Sequence, residues 1–216
     1  MGLLLGLFLP FLLIPGESLG KDGGWPANKR AALTEEESCT IERRDASLTY
    51  SEFIQQYAFS RPVILQGITD NSEFQAQCTK EELLAKFGDR PIRLSTANTY
   101  SYQKVDLPFQ EYVDQLLEPQ DLDSLGSETL YFFGDNNFTE WGSLFQRYRP
   151  PPFRIPGTTG AYSFGIAGSG SGVPFHWHGP GFSEVIFGRK VLYFPDRWWH
   201  ATLNLDTSVF ISTFLG

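Results

Sequence analysis

The chain has 216 residues, 41% hydrophobic, 15% aromatic and 19% charged, enough for one sizeable core and pointing to one domain rather than two. The low charged fraction excludes a chain disordered along most of its length. Its formal net charge of −8 argues against nucleic acid as a partner, because coating it needs clustered Lys and Arg.

The first residues, MGLLLGLFLPFLLIPGESLG, contain an apolar run from Leu3 to Pro15, shorter than the roughly 20 residues a membrane span needs. Pro10 and Pro15 would break a buried helix. Ser18 and Gly20 sit at −3 and −1 of a signal-peptidase site. Residues 1–20 are therefore expected to be a cleaved signal peptide. No later stretch reads as a membrane span. Residues 21–47 are polar and lack apolar periodicity, so a flexible leader is expected there. Cys39 and Cys78 are the only cysteines; they suit one disulfide in an oxidising compartment or two unpaired thiols.

From residue 48 onward a single domain is expected. Thr49-Tyr50-Ser51-Glu52 reads as a helix start, with Phe53, Ile54 and Tyr57 as its apolar face. Val63-Ile64-Leu65 reads as a strand between Pro62 and Gly67. Helices are expected over Lys80–Phe87, stopped by Gly88, and over Phe109–Leu117, ended by Pro119. Leu130–Phe133 is a strand and Phe138–Tyr148 a short helix. Asn137-Phe138-Thr139 is a glycosylation acceptor triplet, making Asn137 a candidate glycan site in the secretory lumen. After the stiff Pro150-Pro151-Pro152 connector, short strands follow: Tyr162–Ile166, Val173–His178, Glu184–Phe187, Val191–Phe194, Trp199–Leu205 and Val209–Phe214. Gly168–Gly172 precedes no helix and is a flexible turn rather than a phosphate loop. The fold class is mainly β with N-terminal helices.

All three histidines lie in the β-rich half, residues 161–216. His176 and His178 alternate on one strand, so both imidazoles face one side and Trp177 the other. Two imidazoles so placed can share one metal ion, and His200 on a neighbouring strand completes a set of three.

Pro174-Phe175-His176-Trp177-His178 followed by Gly188-Arg189-Lys190 resembles the first metal motif and cosubstrate lysine of the jumonji-C (cupin-like) oxygenases. Residues Val191 to Leu205 are similar to the family's distal-histidine strand, and Arg61–Gly67 to its opening strand. The resemblance implies a double-stranded β-helix holding Fe(II) and 2-oxoglutarate, which hydroxylates or demethylates protein side chains. By position His176, His178 and His200 would hold the metal. Lys190 would pair with the distal carboxylate of 2-oxoglutarate. Ser212 matches a position where a related member has a hydroxyl near the cosubstrate.

Two departures shape the functional expectation. The family has Asp or Glu where His178 stands, so the two-histidine, one-carboxylate signature of Fe(II) oxygenases is lost; three-histidine sites occur in other cupins. The family also has further strands between the lysine motif and the distal histidine, whereas here Val191 follows Lys190 directly. The β-helix is expected to be incomplete at that junction, as in an internally shortened form produced by alternative splicing. Glu184–Phe194 would then fold as a hairpin with Lys190 on its solvated turn, leaving sheet edges unpaired.

The leading expectation is an endoplasmic-reticulum lumenal, non-catalytic or weakly catalytic regulatory scaffold that binds proteins and can self-associate. The alternative is a lumenal Fe(II)/2-oxoglutarate-dependent hydroxylase or demethylase. A third is a three-histidine metal protein with other chemistry.

Overall fold

The computed structural model describes residues 22–27, 39–97, 103–120, 129–188 and 190–216. The expected signal peptide lies outside them. The chain is mainly β, with helices confined to its first two thirds. Strand β1 is Arg43–Arg44, and helix α1 follows at Tyr50–Gln56. Thr49 caps α1 through a reciprocal box: its hydroxyl accepts from the Glu52 amide, and Glu52 accepts from the Thr49 amide. Two otherwise unpaired backbone donors are thereby satisfied. Strand β2 (Val63–Gln66) leads to α2 (Ser72–Gln77) and α3 (Lys80–Phe87), the latter capped by the Thr79 hydroxyl.

Strands β3 (Pro91–Thr96) and β4 (Lys104–Pro108) form an edge hairpin. A single helical turn, α4 (Phe109–Glu111), then widens into a π-helical turn at Tyr112–Leu116. After β5 (Leu130–Phe133) and α5 (Phe138–Phe145) come β6 (Gly160–Ala167), β7 (Gly181–Val185), β8 (Lys190–Phe194) and β9 (Ser208–Leu215). The strands make one sheet in the order β1-β2-β8-β7-β9-β6-β5-β3-β4. All pairs are antiparallel except β1 with β2.

One face of the sheet packs on the helices. Phe53, Phe182 and Tyr193 are buried there beneath α1, with the Phe53 ring stacked 4.7 Å from Phe153. Phe87, Phe132 and Phe164 surround Trp141 of α5. Each such buried ring contributes about 1.5–3 kcal/mol of transfer free energy. The other face of β7, β8 and β9 is left for a cavity.

Part of the expected leader is packed instead. Trp25 is 3% exposed, and its indole N–H donates to the Cys78 carbonyl oxygen at 2.9 Å. Arg43–Arg44 joins the sheet. Burial of one large aromatic outweighs the polar composition around it. The two cysteines are free thiols, Cys39 exposed and Cys78 buried. The unpaired alternative describes this structure, not the disulfide.

The expected hairpin forms, but Lys190 is the first residue of β8, paired with Val185, rather than part of the turn. Nor does the shortened junction leave β8 at an edge: β2 covers its outer side, with Val63 opposite Tyr193 and Gln66 opposite Lys190. The sheet is thereby continuous across the Lys190–Val191 junction.

Candidate metal centre

Residues 170–178 and 197–204 run antiparallel over the cavity face of the sheet. Their contacts include Gly170 N–H to Asn204 O at 2.7 Å, Asn204 N–H to Ser171 O at 2.9 Å and Thr202 N–H to Val173 O at 2.9 Å. His176 and His200 exchange backbone hydrogen bonds at 2.9 and 3.0 Å, and the Arg197 N–H donates to His178 O at 2.9 Å. Only the His176–His200 pair has full ladder geometry. The expected strands Val173–His178 and Trp199–Leu205 are irregular because Pro174 cannot donate to a ladder.

These two segments and β7–β8 are parts of one long hairpin. Its tip is β7–β8, and its legs continue beyond Gly181 and Phe194, which are themselves paired. The hairpin bends where both legs contain proline, at Gly179-Pro180 and at Pro195-Asp196-Arg197. Arg197 turns the second leg with φ +57°, a left-handed conformation uncommon outside glycine. The legs thus fold back over β7, β8 and β9, and a cavity of about 610 Å³ lies between.

The bend places all three imidazoles on that cavity. Ring centroids are 4.3 Å apart for His176 and His200, 4.8 Å for His178 and His200 and 5.5 Å for His176 and His178. A ring nitrogen from each lies within 4.8 Å of the others. His176, His178 and His200 are half-buried. Two phenylalanines hold the rings: Phe194 stacks on His200 at 4.8 Å and meets His178 edge-on at 4.9 Å, while Phe214 meets His178 at 5.0 Å.

Every Nδ1 has a carbonyl partner. His176 reaches Pro174 O at 2.9 Å, His178 reaches Gly179 O at 2.7 Å and His200 reaches Trp198 O at 2.8 Å. A carbonyl oxygen only accepts, so each Nδ1 is assigned the proton and each Nε2 keeps a lone pair. Burial holds the pKa of His178 and of His200 below the ordinary imidazole value, with neighbouring imidazoles adding to the effect. Neutral rings with Nδ1–H bonded outward are the form in which histidine binds a metal. The set contains no carboxylate among the described residues.

The wall opposite the histidines carries Ser212, which is buried and donates to the Ser183 hydroxyl at 3.3 Å. Lys190 lines the same cavity and is exposed. The structure therefore brings His176, His178, His200, Lys190 and Ser212 to one cavity. Ser183, Phe194 and Phe214 escaped sequence reading as site residues. Alternation carried the signal: Ser183 faces as Val185 does, and Phe194 as Leu192 and Lys190 do. Asn137 is elsewhere. It caps α5, its Oδ1 accepting from the Thr139 and Glu140 amides at 3.0 and 3.4 Å.

The chain is 60% identical to human "JmjC domain-containing protein 8", covering 96% of each chain. It belongs to that jumonji-C family. Rat and mouse JmjC domain-containing protein 8 are each 63% identical over 90% of both chains. The human alignment runs over 253 positions against 216 residues here, so within it the relative has residues without counterpart in this chain. An Arabidopsis "Lysine-specific demethylase JMJ21" is 28% identical over 51% of this chain and 11% of its own. No family model matches. Among solved structures, the Escherichia coli ribosomal oxygenase YcfD with cobalt and succinic acid aligns at TM-score 0.44 and 17% identity, covering 79% of this chain and 52% of that one. With 2-oxoglutarate it aligns at TM-score 0.41.

The described strands form one nine-stranded sheet. The two hairpin legs lie across the cavity from β7, β8 and β9. Among the described residues no helix is long and apolar enough to cross a membrane.

Proposed function

We propose that this jumonji-C protein is a scaffold of the endoplasmic-reticulum lumen, binding protein partners and turning over 2-oxoglutarate weakly or not at all. The observation that carries this reading is the donor set: three imidazoles with no carboxylate. Fe(II) that activates oxygen beside a bound cosubstrate ordinarily has one anionic ligand, which partly neutralises the ion and leaves a face open. His178 supplies a neutral nitrogen instead. A protein-binding role is supported by the hairpin legs, on which the large apolar side chains of Phe175 and Trp199 are 71% and 62% exposed, since clustered exposed apolar groups mark interaction surfaces. The lumenal address is supported by the apolar leader and by an acceptor triplet whose Asn137 is exposed.

The second reading, an Fe(II)/2-oxoglutarate hydroxylase or demethylase, is favoured by Lys190 and Ser212 lining the cavity that the histidines face. If the cofactors bind, the histidines would hold iron, which supplies oxygen activation, and Lys190 would hold the distal carboxylate.

Purified full-length protein titrated with Fe(II) and assayed for 2-oxoglutarate decarboxylation separates the two. The scaffold reading expects turnover no higher in the wild type than in Lys190→Met or His176→Ala. Turnover that both variants abolish, while circular dichroism shows them folded, would establish the enzyme.

A further inference from the structure

We propose that the three-histidine site of this chain holds zinc, four-coordinate, with its fourth position open to the cavity. The inference deepens the metal part of the proposed function and rests on the histidines forming one site.

Three observations lead to it. First, the donors are chemically uniform. All three Nδ1 atoms are committed to backbone carbonyls at 2.7–2.9 Å, so three neutral Nε2 lone pairs remain. For nitrogen donors zinc binds more tightly than Fe(II), and a site favours iron only through geometry or ligand type. The ligand type that would do so, a carboxylate, is missing from the set. Second, the partners of Nδ1 are main-chain atoms two residues or one residue away in sequence. The tautomers are thus fixed by the legs of the hairpin and not by side chains that could rotate away. Such outer hydrogen bonds orient a ligand and raise its basicity. Third, the three histidines share one cavity. Phe194 and Phe214 pack against the imidazoles, and Ser183, Ser212 and Lys190 line the same cavity.

Three histidines plus one exchangeable position is a tetrahedral zinc arrangement. Neutral ligands leave the full double charge of the ion in place, so the fourth ligand is expected to be a water of lowered pKa or a small anion. The alkyl ammonium of Lys190 and the serine hydroxyls suit the anion. No redox change of the metal is involved.

The test uses the full chain, stripped with a chelator and then given equimolar Fe(II) and Zn(II) without oxygen. Bound metal is counted by mass spectrometry, and the Co(II)-substituted protein is examined by visible absorption. The expected result is about one zinc per chain, iron a small fraction of that, and an intense four-coordinate cobalt spectrum. His178→Asp is expected to shift the competition towards iron, and His176→Ala to lose zinc while the far-ultraviolet circular dichroism is unchanged. Iron retained over zinc, a weak six-coordinate cobalt spectrum or a folded chain that takes up no metal would each overturn the inference. The decarboxylation assay distinguishes this from the scaffold reading. Iron held without turnover overturns only the zinc assignment, whereas turnover with iron overturns the scaffold.

Discussion

Gly172 lies so close to Thr202 that a Cβ on the glycine would stand 2.0 Å from the threonine's carbonyl oxygen. The obstacle is backbone, not a movable side chain, so Gly172→Ala must push the two hairpin legs apart. A destabilisation of about 1–3 kcal/mol is expected, the usual cost of forcing atoms into a packed site. The separation of His200 from His176 should increase with it. Urea unfolding and metal stoichiometry measured on the same variant check both consequences; unchanged stoichiometry would show that the legs adjust without disturbing the imidazoles.

Trp25 tests whether the segment before the first strand belongs to the domain. Its ring packs in the core and its N–H bonds the Cys78 carbonyl. Trp25→Ala is expected to cost about 3–5 kcal/mol, whereas a substitution in an unattached leader would cost nothing measurable. Thermal melts of the two proteins decide.

The cysteines should behave independently. Burial raises the Cys78 thiol well above its ordinary pKa, and Cys39 is exposed. Maleimide is expected to modify Cys39 in the native chain and Cys78 only after unfolding, since the thiolate is the nucleophile. Neither thiol reacting in denaturant, until a reductant is added, would mean a disulfide.

Asn137 combines two roles that substitutions can separate. Asn137→Asp keeps the cap and Asn137→Ala removes it, with an expected loss of about 1 kcal/mol for alanine alone. Both changes, and Thr139→Ala, destroy the acceptor triplet. In secretory expression all three should therefore lose the same glycosidase-sensitive gel shift, while only Asn137→Ala lowers the melting temperature of the deglycosylated protein.

Glu184 predicts a pH dependence. Its carboxyl is buried on the helix side of β7, and the Asn71 side-chain amide donates to its oxygens at 3.1 and 3.3 Å. Desolvation raises its pKa despite those bonds. A carboxyl whose folded pKa is raised favours the fold while protonated. That contribution is complete below the unfolded pKa and is lost as pH rises through the folded one. Glu184→Gln should match the wild type in acid and become the more stable of the two towards neutral pH. Denaturant melts at several pH values follow the gap; a gap that stays constant would mean that Glu184 titrates normally in the fold.

The features legible in the sequence were those written locally. The Thr49–Glu52 helix start, the Lys80–Phe87 helix ahead of Gly88 and the apolar strands β6, β8 and β9 each declare themselves within a few residues. Strand β4 does not, because as an exposed edge carrying Lys104, Asp106 and Pro108 it has no buried alternation. Strand β3 does alternate, Ile92 and Leu94 buried against exposed Pro91 and Arg93, and that signal was available. Helix α2 is six residues long with only Phe74 buried, too short to show a period. At the site, the two-residue spacing of His176 and His178 correctly put both rings on one side even without a regular strand. The bend that turns them over β7–β9 was not legible, because its effect depends on which layer the legs meet.

The bent hairpin is also built to tolerate a change of length at its tip. In an antiparallel pair the register is counted outward from the tip. Residues gained or lost between β7 and β8 change the size of the loop, and loop closure costs only slowly more with length. The pairing of Gly181 with Phe194 and of His176 with His200 need not alter. The loop at this tip lies between Val185 and Lys190, and β2 clamps β8 from outside immediately beyond it. The histidine legs hang from the opposite end, so one end of the element can vary in length while the other keeps its three rings in register.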